Sequence, residues 1–294
     1  MSGNSAATLA GIWAAVLTPV DEALNPDPSL AVPYYRDLLG SGCDGLNLLG
    51  TTGEAMSFSA AQRIRFVEAI ASSGLPRTQL MAGSGAASLA DAALLTRAVV
   101  DCGLRAALVM PPFFFREAGD DGILRFYDDL ITRTNAPPGC ILLYNFPRMS
   151  GIAFTVALVD RLITAFGDVV AGMKDSSNDA QLQAAVLERH PHLSVFPGSE
   201  SELLAAKQRG AAGCISGSVS LWPRLAREVY DGGDAGKAEE LRRKRAHLDG
   251  FPFVAAMRYL TAEERSEAGW LRPMPPQLAL SEGERQALLQ RVRG

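Results

Sequence analysis

The chain has 294 residues, of which 48% are hydrophobic, 20% charged and 7% aromatic, with a formal net charge of -4. That length fits one large domain or two smaller ones, with a core that needs no staples. The ordinary composition argues against disordered, collagenous and coiled-coil classes, and the mild acidity leaves no footprint for nucleic acid or an anionic membrane surface.

Taken in chain order, residues 1–10 are small and polar and read as a loose tail. Residues 1–20 have no basic segment before their apolar stretch, so they do not read as a signal peptide, and no apolar run approaches the roughly 18 residues of a membrane span. From residue 11 a rhythm begins. Short apolar runs, suited to strands buried on both faces, alternate with longer amphipathic stretches. The runs are 12–17, 45–49, 79–82, 106–110, 140–144, 169–173, 193–196 and 213–215. Helical stretches at 60–72, 89–102, 124–134, 155–166, 179–189 and 200–209 lie between most of them; the first carries Ile64, Val67 and Ile70 on one stripe.

Eight strands alternating with helices predict an α/β fold, a (β/α)8 TIM barrel spanning 11–223. A doubly wound open sheet is the competing reading. Its dinucleotide fingerprint is incomplete, because after Gly83-Ser84-Gly85 a serine, Ser88, stands where a third glycine belongs. After Trp222 the strand signal stops, and helices are expected at 224–230, 235–248, 253–261 and from about Glu282. Ser281 and Glu284 have capping-box spacing for the last of these. Residues 224–294 therefore read as a C-terminal helical appendage packed on the barrel. The run Arg242-Arg243-Lys244-Arg245 reads as a solvated helix face.

Four cysteines, Cys43, Cys102, Cys140 and Cys214, lie far apart without a CxxC pair, as expected of reduced core residues in a cytoplasmic protein. The basic residues are more telling. Of 28, only Lys174, Lys207, Lys237 and Lys244 are lysines. Arginine stays protonated, whereas a lysine in an apolar surround can act as a neutral nucleophile. Lys174 is the only lysine in the first 206 residues and follows the apolar run 169–173.

In a barrel, chemistry sits where the strands end. The run 45–49 is followed by Gly50-Thr51-Thr52-Gly53-Glu54, whose hydroxyls and turn backbone suit a small anion; the bland alternative is a turn that serves geometry alone. The run 140–144 ends in Tyr144-Asn145-Phe146-Pro147, with a phenol able to relay a proton or merely to pack. An amine, a phenol and an anion cradle on one rim suit Schiff-base chemistry on a 2-oxo acid. The histidines His190, His192 and His247 form no metal set, and His190-Pro191-His192 falls at the opposite face.

These motifs resemble the dihydrodipicolinate synthase / N-acetylneuraminate lyase family of class I, pyruvate-dependent aldolases. GTTGE at 50–54, YNFP at 144–147 and GMKDSS at 172–177 carry the resemblance, which covers essentially the whole chain from Gly11. It implies that Lys174 forms a Schiff base with pyruvate or a 2-oxo acid and that Tyr144 transfers protons. It implies that Thr51, Thr52 and the backbone at Gly53 hold the pyruvyl carboxylate, with Ile215 lining the pocket through its backbone. It also implies a homotetramer, a dimer of dimers, with no metal or organic cofactor.

The chain departs from the lysine-pathway synthases it resembles. They carry an arginine two residues after the YNxP proline, where this chain has Met149, with Arg148 one place early. They also carry a relay tyrosine where this chain has Phe114, within Phe113-Phe114-Phe115. Both departures favour a lyase of 2-keto-3-deoxy sugar acids or related 4-hydroxy-2-oxo acids. Ser176, Ser150 and the turn Gly198-Ser199-Glu200-Ser201 would then meet a polyhydroxylated aldehyde half. Dihydrodipicolinate synthesis with Arg148 compensating, and a non-catalytic oxo-acid sensor, are the alternatives.

Overall fold

A computed structural model describes residues 9–293. The expected loose tail lies mostly at 1–8, outside the described residues; Leu9 is buried. The chain runs β1 (Gly11–Ala15), α1 (Pro28–Gly40), β2 (Gly45–Leu48), α2 (Ala60–Ala71), β3 (Leu80–Gly83), α3 (Leu89–Asp101), β4 (Ala106–Val109) and α4 (Gly119–Thr134). It continues with β5 (Ile141–Asn145), α5 (Pro147–Ser150), α6 (Val156–Phe166), β6 (Val170–Asp175), α7 (Ala180–Arg189), β7 (Ser194–Pro197), α8 (Leu203–Gln208) and β8 (Gly213–Ser216). Four further helices follow: α9 (Pro223–Gly232), α10 (Ala235–Ala246), α11 (Phe253–Arg265) and α12 (Glu282–Arg293).

All eight strand runs form strands. They pair in parallel in the order β7-β6-β5-β4-β3-β2-β1-β8, and the N–H of Ala212, just before β8, donates to the carbonyl of Val195 in β7 at 2.9 Å. The sheet therefore curls into a nearly closed (β/α)8 barrel, which removes the open-sheet alternative. Strand alternation sorts the side chains into two cores. Ile12, Leu46, Leu48, Val109, Leu143 and Val195 face the helices. Trp13, Met81, Leu108, Leu142, Tyr144, Phe196 and Ile215 fill the barrel interior. Each such fully buried large apolar side chain contributes about 1.5–3 kcal/mol.

The helices begin where sequence signals place them. Ser59 and Gln62 form a capping box on α2, Asp179 caps α7, and the Ser281 and Glu284 side chains bond reciprocally at the start of α12. The periodicity reading left α1 unassigned. Pro33 interrupts its pattern, yet Asp27 caps it and Pro28 occupies its first turn. The expected boundary at 223 falls at the start of α9, whose Arg227 donates to the Gly42 carbonyl beside β2 at 3.0 Å. No helix among the described residues is long and apolar enough to cross a membrane.

Candidate active site

The carboxyl ends of the strands surround a cleft of about 490 Å³ lined by Thr51, Thr52, Tyr144, Lys174, Ser176, Gly198 and Ser216. Its floor is set by β5 and β6, where Tyr144 is the cross-strand partner of Lys174 and Asn145 that of Asp175. The pairing slips one residue at Ile141/Leu142. That extra residue lets Val170 and Met173, three apart, both face the outer core, and it turns Lys174 inward beside Tyr144. Gly172 makes the close approach possible, since a Cβ there would lie 2.1 Å from the Ser194 carbonyl oxygen.

Lys174 is 5% exposed, and its Nζ stands 4.6 Å from the centroid of the Tyr144 ring. Among the described residues it makes no hydrogen bond or ion pair. The neighbouring carboxylate is occupied elsewhere: Asn145 Nδ2 donates to Asp175 Oδ1 at 2.7 Å and Gln183 Nε2 donates to Asp175 Oδ2 at 2.8 Å. The Phe154 N–H closes this buried network by donating to Asn145 Oδ1 at 3.0 Å. So the acid adjacent in sequence to the lysine serves to lock β5, β6 and α7 together. The sequence reading missed this network; the Asn in YNFP and the Asp in KDSS were its visible signals.

The Tyr144 hydroxyl lies 3.3 Å from Thr51 Oγ1, which joins the turn after β2 to the floor. Two buried arginines fix that turn from behind. Arg258, on α11, donates through Nε to Glu54 Oε2 at 2.8 Å and through Nη2 to the Thr18 carbonyl at 2.8 Å. The other Glu54 oxygen accepts the Met274 N–H at 3.0 Å. Arg63 donates to the carbonyls of Gly83 and Gly85 at 3.0 and 3.2 Å, bracing the β3 turn against which Leu49 and Gly50 lie. Burial, with no acid in contact, pushes the Arg63 guanidinium down to about 10.

Not every expected residue reaches the cleft. Gly53 packs behind it, where a Cβ would meet Thr18 Oγ1 at 2.9 Å and the Val16 carbonyl at 3.0 Å. Ile215 is fully buried in the barrel interior, and its neighbour Ser216 lines the cleft. Glu200 is 1% exposed and accepts the Ser216 hydroxyl from behind. Gly198 lines the wall against Ser176, whose Oγ would lie 2.1 Å from an added Cβ. Ser150 turns away, its hydroxyl held by the Ile152 carbonyl at 2.8 Å and the Phe146 carbonyl at 3.1 Å. Ser199 reaches the cleft and bonds Ser201 at 2.8 Å. The appendage contributes Phe253, Val254, Arg245 and Gln277, none of which the strand-end logic could locate. Gly217 admits Phe253: a Cβ there would lie 3.0 Å from the Phe253 ring and 2.6 Å from Thr52 Oγ1. Among the described residues no group of three or more His, Cys, Asp or Glu side chains converges as a metal site.

Comparison with known proteins agrees with this geometry. The model of the dihydrodipicolinate synthetase family matches residues 8–290. A protein of Chloroflexus aurantiacus named as an uncharacterized DapA-like lyase is 37% identical over 235 residues, covering 78% of each chain. The N-acetylneuraminate lyase of Salmonella typhimurium is 28% identical over 240 residues, covering 81% of this chain and 79% of that one. The crystal structure of dihydrodipicolinate synthase from Agrobacterium tumefaciens superposes with a TM-score of 0.91 at 27% identity, over 97% of this chain and 99% of the other. The chain belongs to the dihydrodipicolinate synthetase family and is a lyase of its class I aldolase type.

Proposed function

We propose that this family member cleaves or forms a 2-keto-3-deoxy sugar acid or related 4-hydroxy-2-oxo acid, with pyruvate as one product or donor. The observation that carries the reading is the cluster of Lys174 Nζ, the Tyr144 ring at 4.6 Å and the Tyr144 hydroxyl 3.3 Å from Thr51 Oγ1, in one cleft. The Lys174 amine attacks the C2 ketone; the resulting hydroxyl takes the Tyr144 phenol proton and leaves as water, and an iminium forms. The Tyr144 phenolate then takes the C4 hydroxyl proton, directly or through Thr51. The C3–C4 bond breaks, its electron pair moves into the iminium to give an enamine, and the aldehyde departs. Tyr144 returns that proton to the enamine at C3, water adds to the new iminium, and its collapse releases pyruvate, the free amine and a proton that restores the phenol. Thr51 and Thr52 hold the carboxylate of the oxo acid. Ser176, Ser216 backed by Glu200, and the turn at Gly198 meet the hydroxylated half.

The second reading, condensation of pyruvate with aspartate semialdehyde, has one observation in its favour: Arg148 lines the cleft. Against it, Met149 is 48% exposed in the synthase arginine's place and Phe114, 76% exposed, has no hydroxyl to relay a proton. Phe114 and Phe115, edge to face at 5.4 Å, give the proposed homotetramer an apolar contact surface. Cytoplasmic residence and independence of metal or organic cofactors belong to the same reading.

Incubation with pyruvate and borohydride, followed by peptide mass spectrometry, tests it. A reduced pyruvyl adduct on Lys174 is expected. Absence of that adduct from folded protein removes the proposal.

A further inference from the structure

We propose that Arg63 serves the reaction as a positioning residue: its buried, unbalanced charge stabilises the phenolate that forms when the Tyr144 proton goes to the departing hydroxyl. The proposal rests on the Schiff-base reading above and adds to it a residue that does not line the cleft.

Bracing a turn does not require a charge. Arg63, on α2, is 3% exposed. Among the described residues both of its hydrogen bonds leave from Nη2 and end on neutral carbonyls, those of Gly83 and Gly85. Its Nε is buried and has no partner among those residues. Asp91, exposed in the first turn of α3, acts on it only through space. Burial is the larger influence, and at about 10 the guanidinium still carries its charge at neutral pH. A cation buried against neutral groups is costly, and a neutral amide would brace the same loop with a smaller penalty.

A small cavity of about 20 Å³, between the ends of β2, β3 and β4, shows what that charge can act on. Arg63 and Tyr144 are the only ionisable groups on its lining, and Leu49, Met56, Leu108 and Met110 make up much of the rest. A cavity of this size admits about one water, which leaves little solvent between the two groups, and charges interact strongly beside apolar walls. Thr51, on the same lining, holds the Tyr144 hydroxyl at 3.3 Å.

The step that gains is the loss of water from the carbinolamine on Lys174. Its C2–O bond breaks, the nitrogen lone pair forms the C=N bond, and the Tyr144 proton leaves with the hydroxyl as water. Negative charge then develops on the phenol oxygen, beside a fixed positive charge already in place, and such preorganised stabilisation speeds a step. Lys174 is the other cation close to the Tyr144 ring, but its nitrogen is the reacting atom.

The test uses pyruvate alone. Enzyme and pyruvate are mixed, quenched with borohydride at increasing times, and the reduced adduct on Lys174 is counted by mass spectrometry. At saturating pyruvate, Arg63→Gln and Arg63→Met should slow adduct formation by roughly tenfold to a hundredfold, the scale of one charged interaction lost. The pyruvate concentration giving half the maximal rate should stay near the wild-type value. Arg63→Lys, which keeps the charge, should keep most of the rate. In a Tyr144→Phe background the same neutral substitutions should change the residual rate little, because no phenolate forms there. Wild-type rates in a folded neutral variant overturn the proposal. So does a lysine variant as slow as the glutamine one, or an undiminished loss in the Tyr144→Phe background. Failure of both neutral variants to fold makes Arg63 a structural cation and overturns it as well. The wild-type adduct is scored separately: its absence at all times removes the Schiff-base reading, whereas an adduct whose rate ignores Arg63 removes only this role.

Discussion

Two buried cations in this protein are held in opposite ways. Arg258, 1% exposed, sits in the seam between the β2 turn and α11 with Glu54 and the Thr18 and Trp270 carbonyls around its donors. Lys174, 5% exposed, sits at the end of β6 with an aromatic face and open cleft around it and with no acid in contact. A guanidinium enclosed in this way contributes to architecture, with four of its five donors already engaged inside the protein. An amine held beside an open cleft with no counter-ion in contact contributes little to architecture and leaves its nitrogen accessible to a ligand. The contrast separates scaffold from chemistry on the same rim.

That contrast breaks first at the lysine. Lys174→Ala is expected to lose turnover by upwards of roughly 10⁴, on the scale seen when a covalent nucleophile is removed. Its thermal midpoint should stay level or rise, since no ion pair is lost; a marked drop in melting temperature would place Lys174 among the structural cations. Next in size, Tyr144→Phe keeps the ring beneath the amine but removes the hydroxyl that meets Thr51. Its kcat should fall by roughly 10²–10⁴, the usual acid–base contribution, with pyruvate trapping retained in steady-state assays; an unchanged kcat would leave the phenol a packing role only. The smallest catalytic effect and the largest structural one belong to Glu54→Gln. It strands the Arg258 charge and should cost about 3–5 kcal/mol of stability in urea unfolding. Under conditions where that variant is folded, its borohydride adduct should form as in the wild type.

The barrel was legible because strands buried on both faces are written as short unbroken apolar runs, and all eight of them form strands. α1 was not legible because Pro33 breaks the pattern by which a helix is recognised. In the site, Lys174, Tyr144 and the Thr51-Thr52 pair were readable because each follows directly on a strand, and a barrel points its strand ends at one place. The rest depends on contacts that no local pattern encodes. Asn145 reaches Asp175 only through the pairing of β5 with β6, Gln183 joins Asp175 from α7, and Phe253 and Arg245 come from helices far along the chain. Glu54 was visible only as the last letter of a turn motif; its partner lies 204 residues later. Ser150 shows the opposite failure, a hydroxyl in the right segment whose hydrogen bonds close a local loop instead.

The tie from Glu54 to Arg258 and Met274 also orders the birth of the molecule on the ribosome. When Ser216 has emerged, every strand exists, but the carboxylate that anchors the β2 turn still lacks both its guanidinium and its amide donor. Those arrive only after roughly sixty more residues, some 3–12 s later at a synthesis rate of roughly 5–20 residues per second. The β2 turn thus waits for donors made some two hundred residues after it before its anchor is complete.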